Sequence, residues 1–195
     1  MMRLVTLLLF LVGSLTMTAQ TAIRDVFKQM PATIVPYLVE NNRLDFIDFI
    51  DSNMKAEVTN AFGGKSEMQK LTDNYLSLRL NDAVSMEMRL LEVTEPVDSA
   101  SQIVCLVTTY GRSNNGVRES TVAFYSLKWL PLPVERYAQL PKEMFAATFG
   151  DSGEQEPTLV VTPVCQLDAP ANEDQKEIEK PSTILKWRGG FVKDN

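Results

Sequence analysis

The spacing of hydrophobic residues changes along the chain from a helical period to a strand period. Residues 22–56 are interrupted by Pro31 and Pro36, and a proline cannot continue the interior of a helix, so we predict short helices there. After Ala56, apolar and polar residues alternate, as in NYLSLRLND and AVSMEMRLLEV. Alternation with a period of two predicts half-buried antiparallel strands with one face towards a core.

Turn signals separate the strands that this alternation predicts. Asn81-Asp82 lies between the first pair, and Asn115-Gly116 supplies the positive-φ residues that a hairpin needs between SQIVCLVTTYG and ESTVAFYSLKWLPL. SQIVCLVTTYG is apolar on both of its faces, which predicts a central strand or one covered by the helices.

The C-terminal third adds further predicted elements. A short helix is predicted in PKEMFAATF, a strand in TLVVTPVCQL, and a final strand or hairpin in TILKWRGGFVK. The whole pattern predicts an α+β fold, in which short N-terminal helices pack on a twisted antiparallel β-meander of about six strands.

The N-terminus has the layout of a secretory signal peptide. In residues 1–20, Arg3 precedes an apolar run that is shorter than the roughly 18 to 20 residues of a membrane span. Small and polar residues follow, without a cysteine that could carry a lipid anchor. We therefore expect export to the periplasm or the extracellular space, with no membrane span and no lipid anchor.

The rest of the chain is expected to form one unit. Residues 21–195 are enough for a single α+β domain with its own core. Within them, residues 168–182 carry many charged side chains and a single isoleucine, so they cannot order themselves by burial. We predict a long exposed acidic loop there.

Composition excludes several classes of function. The net charge is −6, from 19 basic and 25 acidic residues, so we expect no nucleic-acid binding. The chain has no histidine, which excludes Ser-His-Asp and Cys-His catalysis and His-containing zinc sites, and two cysteines are too few for an all-cysteine metal site. We expect no cofactor. What remains is carboxylate chemistry, a hard metal bound through oxygens, or no chemistry.

One predicted helix carries three candidate metal ligands. Asp45, Asp48 and Asp51 fall on one arc at about 100° per residue, opposite an apolar arc that includes Phe46 and Ile47. Carboxylates suit calcium, but three side chains on one helix cannot surround an ion. We favour a solvated helix face and keep a metal site as the weaker alternative.

Two cysteines and two tryptophans are the other candidates. Cys105 and Cys165 form either a disulfide, which export favours, or two buried thiols. Trp129 and Trp187 occupy similar settings, SLKWLPL and ILKWRGG. Each could stack on a sugar or a partner's side chain, or fill a core, and we expect partial exposure for Trp129 beside its prolines.

The segment FGGKS at 62–66 resembles a phosphate-binding loop only superficially. The pattern requires a glycine at the position that Thr59 occupies, so a glycine-rich turn is the predicted structure.

Residues 27–66, FKQMPATIVPYLVENNRLDFIDFIDSNMKAEVTNAFGGKS, together with LTDNYLSLRL and ESTVAFYSLKWLPL, resemble a family of exported Bacteroidales proteins. That family carries only a domain-of-unknown-function label (DUF3256-like). The resemblance covers essentially the whole chain after the signal peptide. It implies a role in the periplasm or outer envelope and offers no catalytic residues to transfer.

These observations lead to one expected function and one alternative. We expect an exported, non-enzymatic binding or structural protein, with an unidentified protein or glycan partner in the cell envelope. The alternative is a carboxylate-dependent hydrolase that acts on glycans, because the acidic residues always permit some catalytic pair.

Overall fold

The computed structural model describes residues 21–111, 118–150, 156–164 and 181–193 of the protein. Helices α1 (Ile23–Lys28) and α2 (Glu40–Asp51) begin the fold, and a short helix α3 (Val134–Tyr137) comes later. The strands are β1 (Glu57–Thr59), β2 (Lys65–Leu71), β3 (Tyr75–Asn81), β4 (Val84–Val97), β5 (Ala100–Tyr110), β6 (Glu119–Tyr125), β7 (Pro131–Leu132), β8 (Phe145–Phe149), β9 (Thr158–Pro163), β10 (Thr183–Trp187) and β11 (Phe191–Lys193).

The strands form two antiparallel sheets. The first sheet has seven strands in the order β1-β2-β3-β4-β5-β6-β7, and the second has four in the order β11-β10-β9-β8. The predicted α+β class and antiparallel meander are confirmed. The predicted count of about six strands is approximate: the meander has seven, and the C-terminal strands pair with one another and form a layer of their own.

The seven-stranded sheet is the middle of three layers. One of its faces, which includes Leu76, Leu78 and Leu80, packs against α1 and α2. Its other face packs against the four-stranded sheet. Strand β5 contributes Leu106 to the first core and Cys105 to the second, which confirms that it is covered on both faces.

The segment PKEMFAATF contains a strand rather than the predicted helix. Its last five residues form β8, which pairs along its length with β9. Ala147 and Phe149 alternate into the second core, so burial on a period of two decides the conformation. The helix in this connection is α3, which lies before the segment.

Strand β8 is an outer strand of its sheet, and side chains of the first sheet cover two of its edge amides. The Ala147 N–H donates to Ser120 Oγ at 2.8 Å, and the Phe149 N–H donates to Glu87 Oε2 at 2.8 Å. Unpaired edge amides are a template for pairing with other chains. Here they instead attach the four-stranded sheet to β4 and β6.

Four sequence predictions lie wholly or partly outside the described residues. They are the signal peptide at 1–20, the Asn115-Gly116 turn, the disulfide that involves Cys165, and residues 168–180 of the acidic loop. The β5–β6 hairpin that this turn would close is present, with Tyr110 opposite Glu119.

Candidate functional site

Both tryptophans lie inside the protein. Trp129 is 7% exposed, between the helices and the first sheet, and its indole N–H donates to the Val26 carbonyl at 3.1 Å. Trp187 is also 7% exposed, between the two sheets, and its indole N–H donates to the Glu92 carbonyl at 2.7 Å. The expected partial exposure of Trp129 is therefore not met. The Trp129 indole thus joins the segment after β6 to α1, and the Trp187 indole joins β10 to β4. Neither ring faces solvent.

The three helix aspartates lie on the exposed face of α2, as the periodicity predicts. Asp51 pairs with Arg24 across the helix pair at 3.0 Å. Among the residues that the structure describes, no group of three or more acidic or cysteine side chains converges on a point where a metal ion could sit.

Replacing Asp45, Asp48 and Asp51 together with asparagine is expected to change the free energy of unfolding by about 1 kcal/mol or less, because exposed charges contribute little. Urea denaturation of the native and triply substituted proteins measures this change. A calcium-dependent rise in melting temperature of the native protein that the triple variant lacks would reveal a metal site at this helix.

The candidate disulfide is described on one side only. Cys105 is fully buried in the second core, where burial raises the pKa of its thiol well above the usual range and the charge of Glu87 adds to this effect. Cys165 lies outside the described residues. The pairing of the two cysteines stays a prediction.

A polar groove lies where β8 meets the first sheet, and we call it the corner groove. Its volume is about 120 Å³. One end is formed by β4, β5 and the residue before β6, and the other by β8 and β9. Its lining combines four hydroxyl-bearing side chains, one carboxylate, one guanidinium and three apolar side chains: Ser85, Glu87, Thr109, Arg118, Ala146, Ala147, Thr148, Val160 and Thr162.

Glu87 is the central group of the corner groove. It is half-buried, and its Oε1 accepts a hydrogen bond from Thr148 Oγ1 at 2.8 Å while Oε2 accepts the Phe149 N–H. Burial raises the pKa of the Glu87 carboxyl, although these two hydrogen bonds and the charge of Arg118 act in the opposite direction. The carboxyl is thus fixed in position and costly to ionise.

The Glu87→Gln variant is expected to have a different pH dependence of stability from the native protein. Because the pKa of Glu87 is raised in the folded state, its stabilising contribution is complete below the ordinary value of 4.5 and is lost as the pH rises through the raised pKa. The native protein should therefore lose stability relative to Glu87→Gln between acidic and neutral pH. Urea denaturation over this range measures the difference, with Glu119→Gln as an exposed control.

Parallel stability curves for the native protein and Glu87→Gln across that range would contradict this assignment. They would mean that the Glu87 carboxyl titrates alike in the folded and unfolded chains.

The sequence patterns do not single out Glu87, because it occupies an ordinary polar position in the alternating β4 segment. The only local signal is that Ser85, Glu87 and Arg89 share one face, and this face is covered by residues distant in sequence. Arg89 itself is fully buried, with its guanidinium carbon 5.9 Å from the ring centroids of Tyr75 and Phe149.

A larger depression, of about 850 Å³, lies on the outer face of the four-stranded sheet. Its lining includes Val160 and Ile184, and two of its three charged residues, Glu156 and Lys186, lie 3.9 Å apart at the surface. It holds no half-buried carboxyl among the described residues, so the corner groove has the more distinctive chemistry.

Comparison with solved structures finds a protein domain of similar fold. The structure of a domain of an uncharacterized protein from Porphyromonas gingivalis W83 is similar to this one, with a TM-score of 0.67 and 19% sequence identity over 88% of this chain and 97% of that chain. At this identity the similarity shows a shared fold. Within the described residues, none of the helices has the length and apolar character of a membrane span.

The comparisons by sequence give one result. No curated protein matches the chain. The family model described as "Protein of unknown function (DUF3256)" matches residues 14–156, which is well over half of the 195 residues. This range covers both N-terminal helices, the whole seven-stranded sheet and β8. The chain therefore belongs to the DUF3256 family.

Proposed function

We propose that this protein is an exported, non-enzymatic binding protein of the cell envelope and that it holds its partner in the corner groove. The observation that carries the proposal is the half-buried Glu87 carboxylate, fixed by Thr148 and Phe149 in a groove that four hydroxyl-bearing side chains also line. Because the carboxylate is already held in place, a ligand that contacts it does not have to order this side chain on binding, and less binding free energy is lost.

The lining of the corner groove indicates the chemistry of the partner. Ser85, Thr109 and Thr162 can each donate and accept a hydrogen bond, whereas ionised Glu87 only accepts and Arg118 only donates. A partner that presents hydroxyl or amide groups satisfies such a lining. Both a glycan and a polar protein segment fit this description.

The alternative function is hydrolysis of a glycan, and one observation favours it. A carboxyl with a raised pKa is suited to act as a general acid. Two features argue for binding instead. Both Glu87 oxygens already accept hydrogen bonds from β8, and glycoside hydrolysis uses a second carboxylate, which the described lining of the groove lacks.

The test fills the corner groove. Ala146 lines the groove, so Ala146→Trp should occupy its volume. Thr121→Trp is the matched control, because Thr121 is an exposed strand residue outside the groove lining. The probes are peptidoglycan fragments, envelope polysaccharides and purified envelope proteins, each presented to the immobilised proteins. We expect native protein and Thr121→Trp to bind a shared probe, and Ala146→Trp to lose it.

Two results would contradict the proposal. One is a probe that binds native protein and Ala146→Trp with equal affinity. The other is turnover of a glycan probe by native protein that Glu87→Gln abolishes, since this result would establish the hydrolase instead.

A further inference from the structure

The turn between β1 and β2 presents an aromatic ring to solvent. Phe62 is 68% exposed, more than any other large hydrophobic side chain among the described residues. Exposed single apolar residues are common on proteins, so exposure alone says little. What distinguishes Phe62 is the structure that holds it.

A buried asparagine fixes the backbone of this turn. Asn60 is 6% exposed, and its Oδ1 accepts the N–H groups of Phe62 at 3.0 Å and Gly64 at 3.1 Å. Its Nδ2 donates to Ser66 Oγ at 3.0 Å and to the Leu80 carbonyl at 3.1 Å. The hydrogen bonds of one buried amide thus anchor the turn to β2 and β3.

Two more contacts restrict the turn. Gly63 has a φ of 79°, a left-handed conformation that favours glycine. The Ala61 N–H donates to the Tyr37 carbonyl at 2.9 Å, which joins the turn to the segment before α2. The backbone that carries Phe62 is therefore held from both sides.

A second aromatic side chain stands next to Phe62 and adds a polar group. The Tyr37 ring packs against Phe62 edge to face, with centroids 5.1 Å apart. The Tyr37 hydroxyl accepts a hydrogen bond from Asn81 Nδ2 at 3.1 Å, and a phenolic hydroxyl that accepts one bond can still donate its own hydrogen. An exposed apolar ring and a hydroxyl that can donate thus lie on neighbouring side chains.

We propose that this aromatic turn, formed by Tyr37, Asn60, Phe62, Gly63 and Gly64, is a second ligand-contact site that stacks a sugar ring of an envelope glycan on Phe62. A pyranose offers one face of C–H groups for an aromatic ring and a rim of hydroxyls for a donor such as Tyr37. A protein interface instead needs a contiguous apolar core, and Thr59 and Lys65, which pair across the base of the turn, are polar and exposed.

This site is separate from the corner groove, and its residues do not line that groove. It therefore goes beyond the proposed function and is tested with different substitutions. If a substitution of Phe62 abolishes binding of a probe and a substitution of Ala146 does not, that probe binds at the turn and not in the corner groove.

The experiment titrates neutral oligosaccharides of glucose, N-acetylglucosamine and mannose into the full chain. Calorimetry measures affinity, and saturation-transfer NMR detects sugar C–H groups near aromatic protons. We expect Phe62→Ala to weaken binding of the best probe about tenfold or more, because the stacking surface is removed. Phe62→Trp should keep binding, and Tyr37→Phe should weaken it by less.

The matched control is Met54→Ala, which removes an exposed apolar side chain (58% exposed) outside the turn and should leave affinity unchanged. Thermal denaturation checks that all variants are folded.

Three results would overturn the proposal. They are no binding of any of these sugars by native protein, equal binding by native protein and Phe62→Ala, and a native dimer that Phe62→Ala converts to a monomer. The last result would identify a second copy of the chain as the occupant.

Discussion

Replacing Trp187 with alanine is expected to lower the free energy of unfolding by about 3–5 kcal/mol, the usual cost of removing a large buried aromatic side chain. The Trp187 ring lies 5.0 Å from the Phe191 ring, 6.2 Å from Tyr137 and 6.4 Å from Phe124, measured between centroids. Its indole N–H also donates to the Glu92 carbonyl, which joins β10 to β4. Urea denaturation followed by circular dichroism measures the loss.

A neighbour in the same cluster provides the control. The Tyr137 hydroxyl is buried and has no hydrogen-bond partner among the described residues. Tyr137→Phe keeps the ring and removes this unsatisfied group, so we expect stability to be unchanged or slightly higher. If Trp187→Ala were as stable as Tyr137→Phe, the two sheets would not depend on this aromatic cluster for their attachment.

The Asn60→Ala substitution is the second large effect, with an expected loss of about 2–4 kcal/mol. Alanine leaves the Phe62 and Gly64 N–H groups without their acceptor and the Leu80 carbonyl without one of its donors. The cost comes mainly from the lost hydrogen bonds of the buried Asn60 amide, rather than from lost apolar contact. Thermal and urea denaturation both report it.

Asn41→Ala is the matched control for Asn60→Ala, since Asn41 is an exposed asparagine in α2. Its expected effect is below about 0.5 kcal/mol. Equal losses for the two variants would mean that the side-chain hydrogen bonds of Asn60 contribute nothing beyond those of a surface asparagine.

The parts of the fold that follow from local pattern are predictable from the sequence. Leu76, Leu78 and Leu80 alternate with polar residues, and they line one face of β3 as that alternation requires. The apolar arc of α2, with Phe46 and Ile47, packs on this face. The sequential order of the meander follows because short turns join neighbouring antiparallel strands.

The four-stranded layer is not predictable in this way. Strand β8 reads FAATF, in which two alanines give no clear period, and a long-range partner decides its conformation. Trp129 illustrates the same limit. The prolines beside it predict partial exposure, whereas its backbone has a positive φ of 63° and its ring is buried.

The corner groove is hidden from local pattern for a related reason. The Glu87 carboxyl is held by a hydrogen bond from Thr148, which is 61 positions further along the chain. The residues near Glu87 in sequence therefore do not indicate a functional site. Phe62 is different, because an aromatic residue directly before two glycines is visible in the sequence. The conformation of its turn, however, depends on the buried Asn60, and the local sequence pattern does not predict that this polar residue is buried.

The order of strands in the first sheet has a consequence for the order in which the chain folds. Each strand from β2 to β7 pairs with the strand made immediately before it, so a chain that emerges N-terminus first can complete every pairing without waiting for later residues. Strand β8 cannot dock in that way until β4 and β6 are in place, since its amides bond to Glu87 and Ser120. We therefore expect the four-stranded layer to assemble last. Until it does, Leu91, Ile103 and Phe124 stay uncovered on the finished meander, and this is the surface that a chaperone would have to protect.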